Sequence, residues 1–240
     1  MSTLVMRLAA PLQSWGADSK FEERRGTMRE PTKSGVIGML ASALGRRREE
    51  AVNDLSGLSF GVRIDQPGQL LRDYHTVKSK DGKTSYVTNR YYLADAVFLV
   101  GLEGDDELLR ILDKALQSPV FPLYLGRRSC PPVGRISLGV IDSTLEKALY
   151  GASWQAGPYC RKRKQPPGES RNLTLVLDDI GVGNLRRRDL PVSFSQQHRK
   201  YMYRYVDDRP EAVPVQDILE TEHDAFSAVG EEMQHDTIQN

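Results

Sequence analysis

Apolar and polar residues alternate in two segments of this chain and recur at helical spacing in two others. Alternation over residues 3–9 and 58–65 predicts two strands, because successive side chains of a strand point to opposite faces of its sheet. Apolar residues three and four positions apart predict helices over 31–44 and 105–116. The continuous apolar run at 96–102 is typical of a buried strand. The chain is therefore expected to mix strands and helices.

A further strand and helix follow in the second half of the chain. The pattern of residues 134–141 predicts a strand, and that of residues 144–150 predicts a short helix. Apart from one polar segment, the order is then β-α-β, β-α-β, which is the ferredoxin-like or RRM-like arrangement of an α+β protein. Two more strands are expected at 173–177 and 190–192, and residues 152–171 are expected to form a loop.

The polar segment, residues 71–94, has the composition of a β-hairpin. Two stretches rich in Lys, Arg and Tyr flank Asp81-Gly82, a preferred turn sequence between two strands. Both stretches contain too few apolar residues to be buried in a sheet core. We therefore expect an arm that projects from the fold and binds another molecule.

Composition indicates a globular protein of ordinary polarity. The 240 residues can form one large domain or a domain with an insertion, and 39% of them are hydrophobic. Residues 1–11 carry Arg7 within a short apolar run, so we expect neither a secretory signal nor membrane contact, and a cytoplasmic location. Cys130 and Cys160 have no Cys or His at metal-ligand spacing, so we expect free thiols, no metal and no cofactor.

The charge is distributed unevenly, although the net charge is only +1. Residues 207–240 contain ten acidic residues and one basic residue, which leaves +10 on residues 1–206. A basic body with an acidic tail is common among proteins that bind nucleic acid. It is equally compatible with a solvated tail on an ordinary globular protein, so charge alone leaves both alternatives open.

The segment 121–132 contains a candidate phosphate site. Backbone N–H groups, two guanidinium groups and a hydroxyl together suit a phosphate, and they come from Gly126, Arg127, Arg128 and Ser129. The spacing GxxxxGK[ST] is absent, which excludes a Walker A loop. A tight turn carrying two solvated arginines is the alternative, but the residues favour phosphate.

A second candidate site surrounds the start of the first predicted helix. Single-stranded RNA is bound by aromatic rings that stack on bases and by cations that pair with phosphates, and a helix N-terminus also attracts phosphate. The alternative places the tryptophan in the core and the arginines on the surface without a ligand. The candidate residues are Trp15, Gly16, Arg24, Arg25, Arg29, Lys33 and Ser34, with Lys20 nearby.

Tyr74, His75 and Lys78 raise the question of catalysis. These three residue types could together cleave RNA by general acid–base chemistry through a 2′-hydroxyl. The sequence contains no histidine pair, no nucleophile elbow and no carboxylate cluster of metal-site character. We therefore expect no catalytic residue, and Tyr74 and His75 remain candidates for RNA contact.

Four segments in order resemble one known family. They are Leu-Ala-Ala-Pro-Leu-Gln-Ser-Trp-Gly at 8–16, Pro-Thr-Lys-Ser-Gly-Val-Ile-Gly-Met-Leu at 31–40, Leu-Arg-Asp-Tyr-His-Thr-Val at 71–77 and Tyr-Leu-Gly-Arg-Arg-Ser-Cys-Pro at 124–131. Together they resemble the CasD family of subunits of the type I-E CRISPR Cascade complex. One such motif is weak evidence, whereas four in this order are specific, and they cover residues 1 to about 150.

The resemblance implies an RRM-like palm with an inserted β-hairpin thumb. On this basis the palm comprises residues 1–76 and 94–206, the thumb 77–93 and an acidic tail 207–240. The resemblance further implies that the chain binds the repeat-derived 5′ handle of the guide RNA (crRNA). The implied protein partners are the CasC backbone subunit and the large CasA subunit, and the complex as a whole would recognise the DNA target.

The same resemblance implies that this chain does not cut RNA. Guide processing in the type I-E family belongs to the separate CasE endonuclease, whereas in type I-C relatives the equivalent subunit cleaves. A ribonuclease that uses Tyr74 and His75 therefore stays as the alternative. Arg90 and Tyr91 on the thumb are expected to separate or stack nucleotides of the guide.

Overall fold

The computed structural model describes residues 1–16, 24–164, 171–179 and 185–213. No helix within these ranges is long and apolar enough to cross a membrane. The helices are α1 (Lys33–Ala43), α2 (Asn53–Ser56), α3 (Asp106–Gln117), α4 (Leu145–Gly151) and α5 (Pro158–Lys164). The strands are β1 (Ser2–Gln13), β2 (Arg24–Arg25), β3 (Ser59–Gln66), β4 (Gln69–Lys78), β5 (Ser85–Gly104), β6 (Ser137–Ile141), β7 (Arg171–Asp179), β8 (Leu185–Ser193) and β9 (Lys200–Val213).

All nine strands belong to one sheet. The main strand order is β6-β1-β5-β3-β7-β9-β8, and every pair along it is antiparallel. Strand β5 is the longest, and one end of it pairs with β1 and β3 while the other pairs with β4 and, in parallel, with the short β2. The predicted α+β class is therefore confirmed.

Apolar cores lie on both faces of the sheet. Leu4, Met6 and Leu8 of β1 are buried against the face that α1 and α3 cover. The alternate residue Val5 belongs to a second core on the opposite face, with Trp154 and helix α4. Burial of such a side chain contributes roughly 1.5–3 kcal/mol, and β1 supplies buried side chains to both cores.

Helix α1 begins and ends where its sequence predicts. The hydroxyl of Thr32 accepts a hydrogen bond from the N–H of Gly35 at 3.2 Å and so caps the first turn. Gly45, with φ of +78°, follows the last turn in the left-handed conformation that commonly ends a helix. The helix buries Ile37 and Leu40 completely against the sheet, which leaves its other side for a surface cleft.

The projecting hairpin is longer than the predicted 77–93. Strands β4 and β5 pair without interruption from Gln69 opposite Ala94 to Lys78 opposite Ser85, with the turn at the predicted Asp81-Gly82 position. Because β5 continues from the hairpin into the central sheet as one strand, the hairpin is an extension of that sheet. The ladder nevertheless agrees closely with the polar segment 71–94 that composition indicated as a hairpin.

Residues 152–164 contain more structure than the loop predicted at 152–171. Buried Arg63 pairs with Asp65 at 2.7 Å and donates hydrogen bonds to the carbonyl oxygens of Ala152 and Ser153, which holds the chain after α4. Helix α5 follows, where the sequence analysis expected irregular chain. The error arose because the partner that orders this segment, Arg63, is about 90 residues away in sequence.

The predicted tail also overlaps the sheet. Residues 207–213 belong to strand β9, which pairs with β7 over residues 205–213, although residues from 207 onward were predicted to form a tail. Their acidic side chains obscured the strand, since Asp207 and Asp208 sit beside fully buried Val206. Residues 214–240 of the predicted tail, like Lys20, lie outside the described residues.

Candidate nucleic-acid interface

A cleft of about 610 Å³ lies where five separate parts of the chain meet. They are the end of β1, the end of β2, the start of α1, the loop at 125–130 and the β8–β9 hairpin. Four arginines line the cleft, and none of its described lining residues is acidic. The lining comprises Ser14, Trp15, Gly16, Arg25, Gly26, Thr32, Ser34, Gly35, Gly126, Arg127, Arg188, Arg199 and Tyr201.

Gly126 holds the 125–130 loop against the end of β1. Its φ is +85°, and a Cβ there would lie 1.7 Å from the carbonyl oxygen of Ser14, so only glycine fits. The N–H of Ser14 donates to the carbonyl oxygen of Leu125 at 3.2 Å. The Gly126 N–H already donates to the carbonyl oxygen of Tyr124 at 3.1 Å. Gly126 therefore lines the cleft and contributes the shape of the loop, but its N–H is not the free donor that was expected.

Arg127 is the most constrained cation of the cleft. Its guanidinium lies 4.6 Å from the ring centroid of Tyr92, and its Nη2 donates to the carbonyl oxygen of Arg25 at 3.0 Å. Its Nη1 is buried and has no hydrogen-bond partner among the described residues. A buried donor without a partner is costly, so this atom is suited to an incoming acceptor such as a phosphate oxygen.

The β8–β9 hairpin supplies Arg188, Arg199 and Tyr201, which the sequence analysis did not select. The signal was present in the run Arg186-Arg187-Arg188, but sequence could not show which arginine faces the cleft. In the structure Arg187 forms an ion pair with Glu30, whereas Arg188 is exposed on the cleft. Pairing with a carboxylate on another segment therefore decides which arginine remains available.

A buried ionic network fixes that hairpin to helix α1. Lys33 Nζ pairs with Asp178 at 2.9 Å, and Arg204 pairs with Asp178 at 2.5 Å and with Asp189 at 2.7 Å. Burial by itself lowers the pKa of Arg204, but the hydrogen bonds and charges of Asp189 and Asp178 raise it above its ordinary value. Both carboxylates are matched by cations, so the network can stay charged inside the protein.

Lys33 and Trp15 do not have the roles that the sequence analysis predicted. Lys33 is buried in the ionic network, and its backbone N–H donates to Asp189 Oδ2 at 2.8 Å, so neither group is available to a phosphate. Trp15 is 0% exposed, and its indole N–H donates to Gln13 Oε1 at 3.1 Å. The ring packs against Gly35, where no side chain would fit, and this burial prevents it from stacking on a base.

The remaining candidates near the cleft divide into two groups. Gly16, Arg25 and Ser34 line it, as their positions in sequence suggested. Three others are exposed but are not among its lining residues, and they are Arg29, Arg128 and Ser129. Arg24 belongs to strand β2, opposite Asn89 of β5, and its side chain lies outside what the structure describes.

The candidates on the hairpin point to two different faces. Tyr74 and His75 are neighbours on β4 and therefore lie on opposite faces of the hairpin. The ladder places Arg90 opposite Asp73, so Arg90 shares a face with His75, whereas Tyr91 shares a face with Tyr74. His75 Nδ1 lies 3.1 Å from Asp73 Oδ2. None of these four candidates is among the lining residues of the cleft.

The described residues offer no metal centre, since no three His, Cys, Asp or Glu side chains among them converge. Cys130 is buried and Cys160 is half-buried, and both are free thiols. Burial raises the pKa of the Cys130 thiol, which makes it a poor nucleophile. The four guanidinium groups that line the cleft are suited to bind anions.

Comparisons with known proteins agree with the four sequence motifs. Residues 3–207 match the family described as CRISPR-associated protein (Cas_Cas5). The CRISPR system Cascade subunit CasD of Escherichia coli (strain K12) is 37% identical over 171 residues, which are 62% of this chain and 75% of that protein.

Solved structures agree with the sequence comparisons. A chain of a CRISPR RNA-guided surveillance complex superposes with a TM-score of 0.76 at 32% identity, over 88% of this chain and 91% of that one. A crystal structure of a Cas protein gives a TM-score of 0.68 at 41% identity, over 88% and 95% of the two chains. The resemblance stated from the four motifs is therefore confirmed, and this chain belongs to the Cas5 family of CRISPR-associated proteins, as a CasD-type member.

Proposed function

We propose that this chain is a non-catalytic RNA-binding subunit of a CRISPR surveillance complex and that its arginine cleft holds the 5′ handle of the guide RNA. The observation that carries the proposal is the cleft itself, which four arginines line without any acidic residue among its described lining. The names of the related proteins, a Cascade subunit and an RNA-guided surveillance complex, supply the biological setting.

The shape and chemistry of the cleft suit a single-stranded RNA backbone better than a small metabolite. Guanidinium groups bind phosphate oxygens through paired, charge-assisted hydrogen bonds, and Arg127 already has one buried N–H that needs an acceptor. The cleft is open, and its arginines come from three segments, as a chain of several phosphates requires. Tyr201 at its edge offers a ring on which a base can stack.

The proposal gives each part of the fold a role. The order β1-α1-β3 and β5-α3-β6 fits a ferredoxin-like palm, and the β4–β5 hairpin fits a thumb. The thumb exposes both of its faces, including Tyr74 and Tyr86, so it is suited to contact nucleotides or neighbouring subunits. In the proposed assembly the protein neighbours are CasC and CasA, and DNA is contacted only through the complex.

The positions of the candidate catalytic side chains support a subunit that does not cleave RNA. Tyr74 and Lys78 lie on one face of the hairpin and His75 lies on the other, so the three cannot converge on one phosphodiester. Three exposed side chains on a two-stranded arm also lack the water-excluding pocket that preorganises an active site.

The test measures guide-RNA binding against salt concentration in a complex reconstituted with CasC. The variant Arg188→Ala with Arg199→Ala removes two exposed cations of the cleft. For single strands, each lost phosphate contact should reduce the steepness of the fall of log K with log salt by about 0.7. The double variant should therefore reduce it by about 1.4. The matched control is Arg110→Ala with Lys147→Ala, which removes two exposed cations outside the cleft. Equal slopes for both double variants would show that Arg188 and Arg199 do not contact the RNA, which contradicts the proposed role of the cleft.

A ribonuclease of the type I-C kind is the second candidate function. The observation that favours it is the contact of His75 Nδ1 with Asp73 at 3.1 Å, because a carboxylate can orient a histidine for proton transfer. Purified chain is incubated with unprocessed repeat RNA in the presence of a chelator. We expect no product, and cleavage that disappears on His75→Ala would replace the proposed function by this one.

A further inference from the structure

A second cleft of about 450 Å³ continues the first along helix α1. The two clefts share six lining residues, so they form one groove. The shared residues are Arg25, Ser34, Gly35, Gly126, Arg199 and Tyr201. The second cleft adds three consecutive arginines just beyond the end of α1, namely Arg46, Arg47 and Arg48, and none of its described lining residues is acidic.

Small side chains form the floor of this second cleft. Ser34, Gly38 and Ser42 occur four residues apart on α1 and therefore share one side of the helix. From Ser34 to Ser42 the helix axis spans about 12 Å, at 1.5 Å per residue. Short side chains over this distance let an extended chain lie close to the helix, and the phenyl ring of Phe194 borders the cleft beside Gly38.

The three arginines at the far end are not equivalent. Arg46 is bound to Asp54 by two hydrogen bonds, at 2.7 and 2.5 Å, and to the carbonyl oxygen of Ala51 at 3.0 Å. It therefore secures the turn after α1. Arg47 and Arg48 are exposed, and their side chains have no ion-pair partner among the described residues. These two guanidinium groups are available to a ligand that reaches the end of the groove.

Aromatic rings line the same groove. Phe194 and Tyr201 lie edge to face with their ring centroids 6.4 Å apart, and Tyr124 contributes a third ring. Arginines at intervals beside aromatic rings are the combination that binds single-stranded nucleic acid without strict sequence preference, because every base has a face that can stack.

We propose that the groove along α1 binds a further stretch of the same single-stranded RNA, so that the phosphate chain runs from Arg127 past Tyr201 to Arg47 and Arg48. This inference rests on the proposed function and extends it, since it assigns a second binding segment and the direction of the path over the protein surface. Arg47 and Arg48 should then contribute to the affinity only for RNAs long enough to reach the end of the groove.

The test uses the full chain and a series of single-stranded RNAs that share the handle sequence and range from about 4 to about 16 nucleotides, the span of site sizes in such proteins. The variant is Arg47→Ala with Arg48→Ala. With the shortest RNA its affinity should equal that of the unmodified chain. With the longest RNA the slope of log K against log salt should fall by about 1.4, because two phosphate contacts are lost.

Two further variants separate charge from shape. Arg47→Lys with Arg48→Lys keeps both charges and should retain most of the slope. Gly38→Met fills the floor of the groove without changing any charge, and it should weaken binding of the long RNA while leaving the short RNA unaffected. The control remains Arg110→Ala with Lys147→Ala, which should change the binding of neither the long nor the short RNA.

The outcomes distinguish this inference from the proposed function. If the Arg47 and Arg48 variant matches the unmodified chain at every RNA length while Arg188→Ala with Arg199→Ala weakens binding, the inference is wrong and the proposed function stands. If none of the cleft variants affects RNA binding, the proposed function fails as well. If the Arg47 and Arg48 variant binds RNA more tightly, an acidic protein segment occupies the groove, which also overturns the inference.

Discussion

Replacing Gly126 by alanine should separate the effect of backbone conformation from that of close packing in the cleft. The alanine Cβ would meet the Ser14 carbonyl oxygen at 1.7 Å in a residue whose φ is +85°, so the 125–130 loop must move away from β1. The left-handed conformation alone costs about 1–2 kcal/mol for a non-glycine residue. The shift adds further losses, because it breaks contacts that the loop makes with its surroundings.

Those losses follow from the contacts of the loop. The hydrogen bond from Ser14 N–H to the Leu125 carbonyl contributes about 0.5–1.5 kcal/mol, and the contact of Arg127 with the Tyr92 ring contributes about 0.5–1 kcal/mol. With the conformational cost, Gly126→Ala should lower the free energy of unfolding by about 2–4.5 kcal/mol. The same displacement moves Arg127, so the salt dependence of RNA binding should also weaken.

Two other glycines provide controls that isolate each contribution. Gly16 lines the same cleft, but a Cβ there would meet nothing within 4 Å, so Gly16→Ala should be close to neutral. Gly82 has a φ of +71° with open space around it, so Gly82→Ala should show the conformational cost alone, about 1–2 kcal/mol. Urea unfolding followed by circular dichroism measures all three. A Gly126 variant no less stable than the Gly82 variant, with unchanged RNA binding, would refute the reasoning.

Three further predictions concern charge and burial. Asp178→Ala leaves Lys33 buried without its partner and should lower the free energy of unfolding by about 3–5 kcal/mol in urea, whereas a loss below 1 kcal/mol would show that the pair is not buried in solution. Because hydrogen bonding to Arg46 lowers the pKa of Asp54 in the folded state, this pair contributes stability above the unfolded pKa and loses it as the pH falls through the folded pKa. Asp54→Asn should therefore cost less than about 1 kcal/mol at pH 7, and the difference should shrink below about pH 4. Cys130 is 1% exposed and its pKa is raised by burial, so iodoacetamide should label it only at the rate of local unfolding, and rapid labelling in the native protein would contradict its burial.

The contacts that build the cleft connect segments far apart in sequence. The β8–β9 hairpin reaches the cleft because Asp178 and Asp189 join it to Lys33 at the start of α1, more than 140 residues earlier. We therefore expect a mutation in that network to weaken the proposed RNA binding by displacing Arg188 and Tyr201, although the mutated side chain does not line the cleft. If such a variant loses binding, its free energy of unfolding must also be measured, so that a displaced hairpin is distinguished from a lost RNA contact.

The sequence by itself determined several of the local elements and the family. Alternation in β1, helical spacing with Thr32 and Gly45 at the limits of α1, and Asp81-Gly82 in the hairpin turn each depend on neighbours within a few residues, so they are legible without a structure. The loop at 125–130 was recognised for the same reason, because its glycine and arginines are adjacent in sequence.

Tertiary structure decided which of the candidate side chains remain available to a ligand. Lys33 and Trp15 have the residue types of an RNA site, but Asp178 and Gln13 bind them inside the protein. Arg188 and Arg199, by contrast, become part of the site only because β9 pairs with β7 and brings their hairpin to α1. Burial and ion pairing depend on partners that are distant in sequence, and no local pattern records which partner a charged side chain will meet.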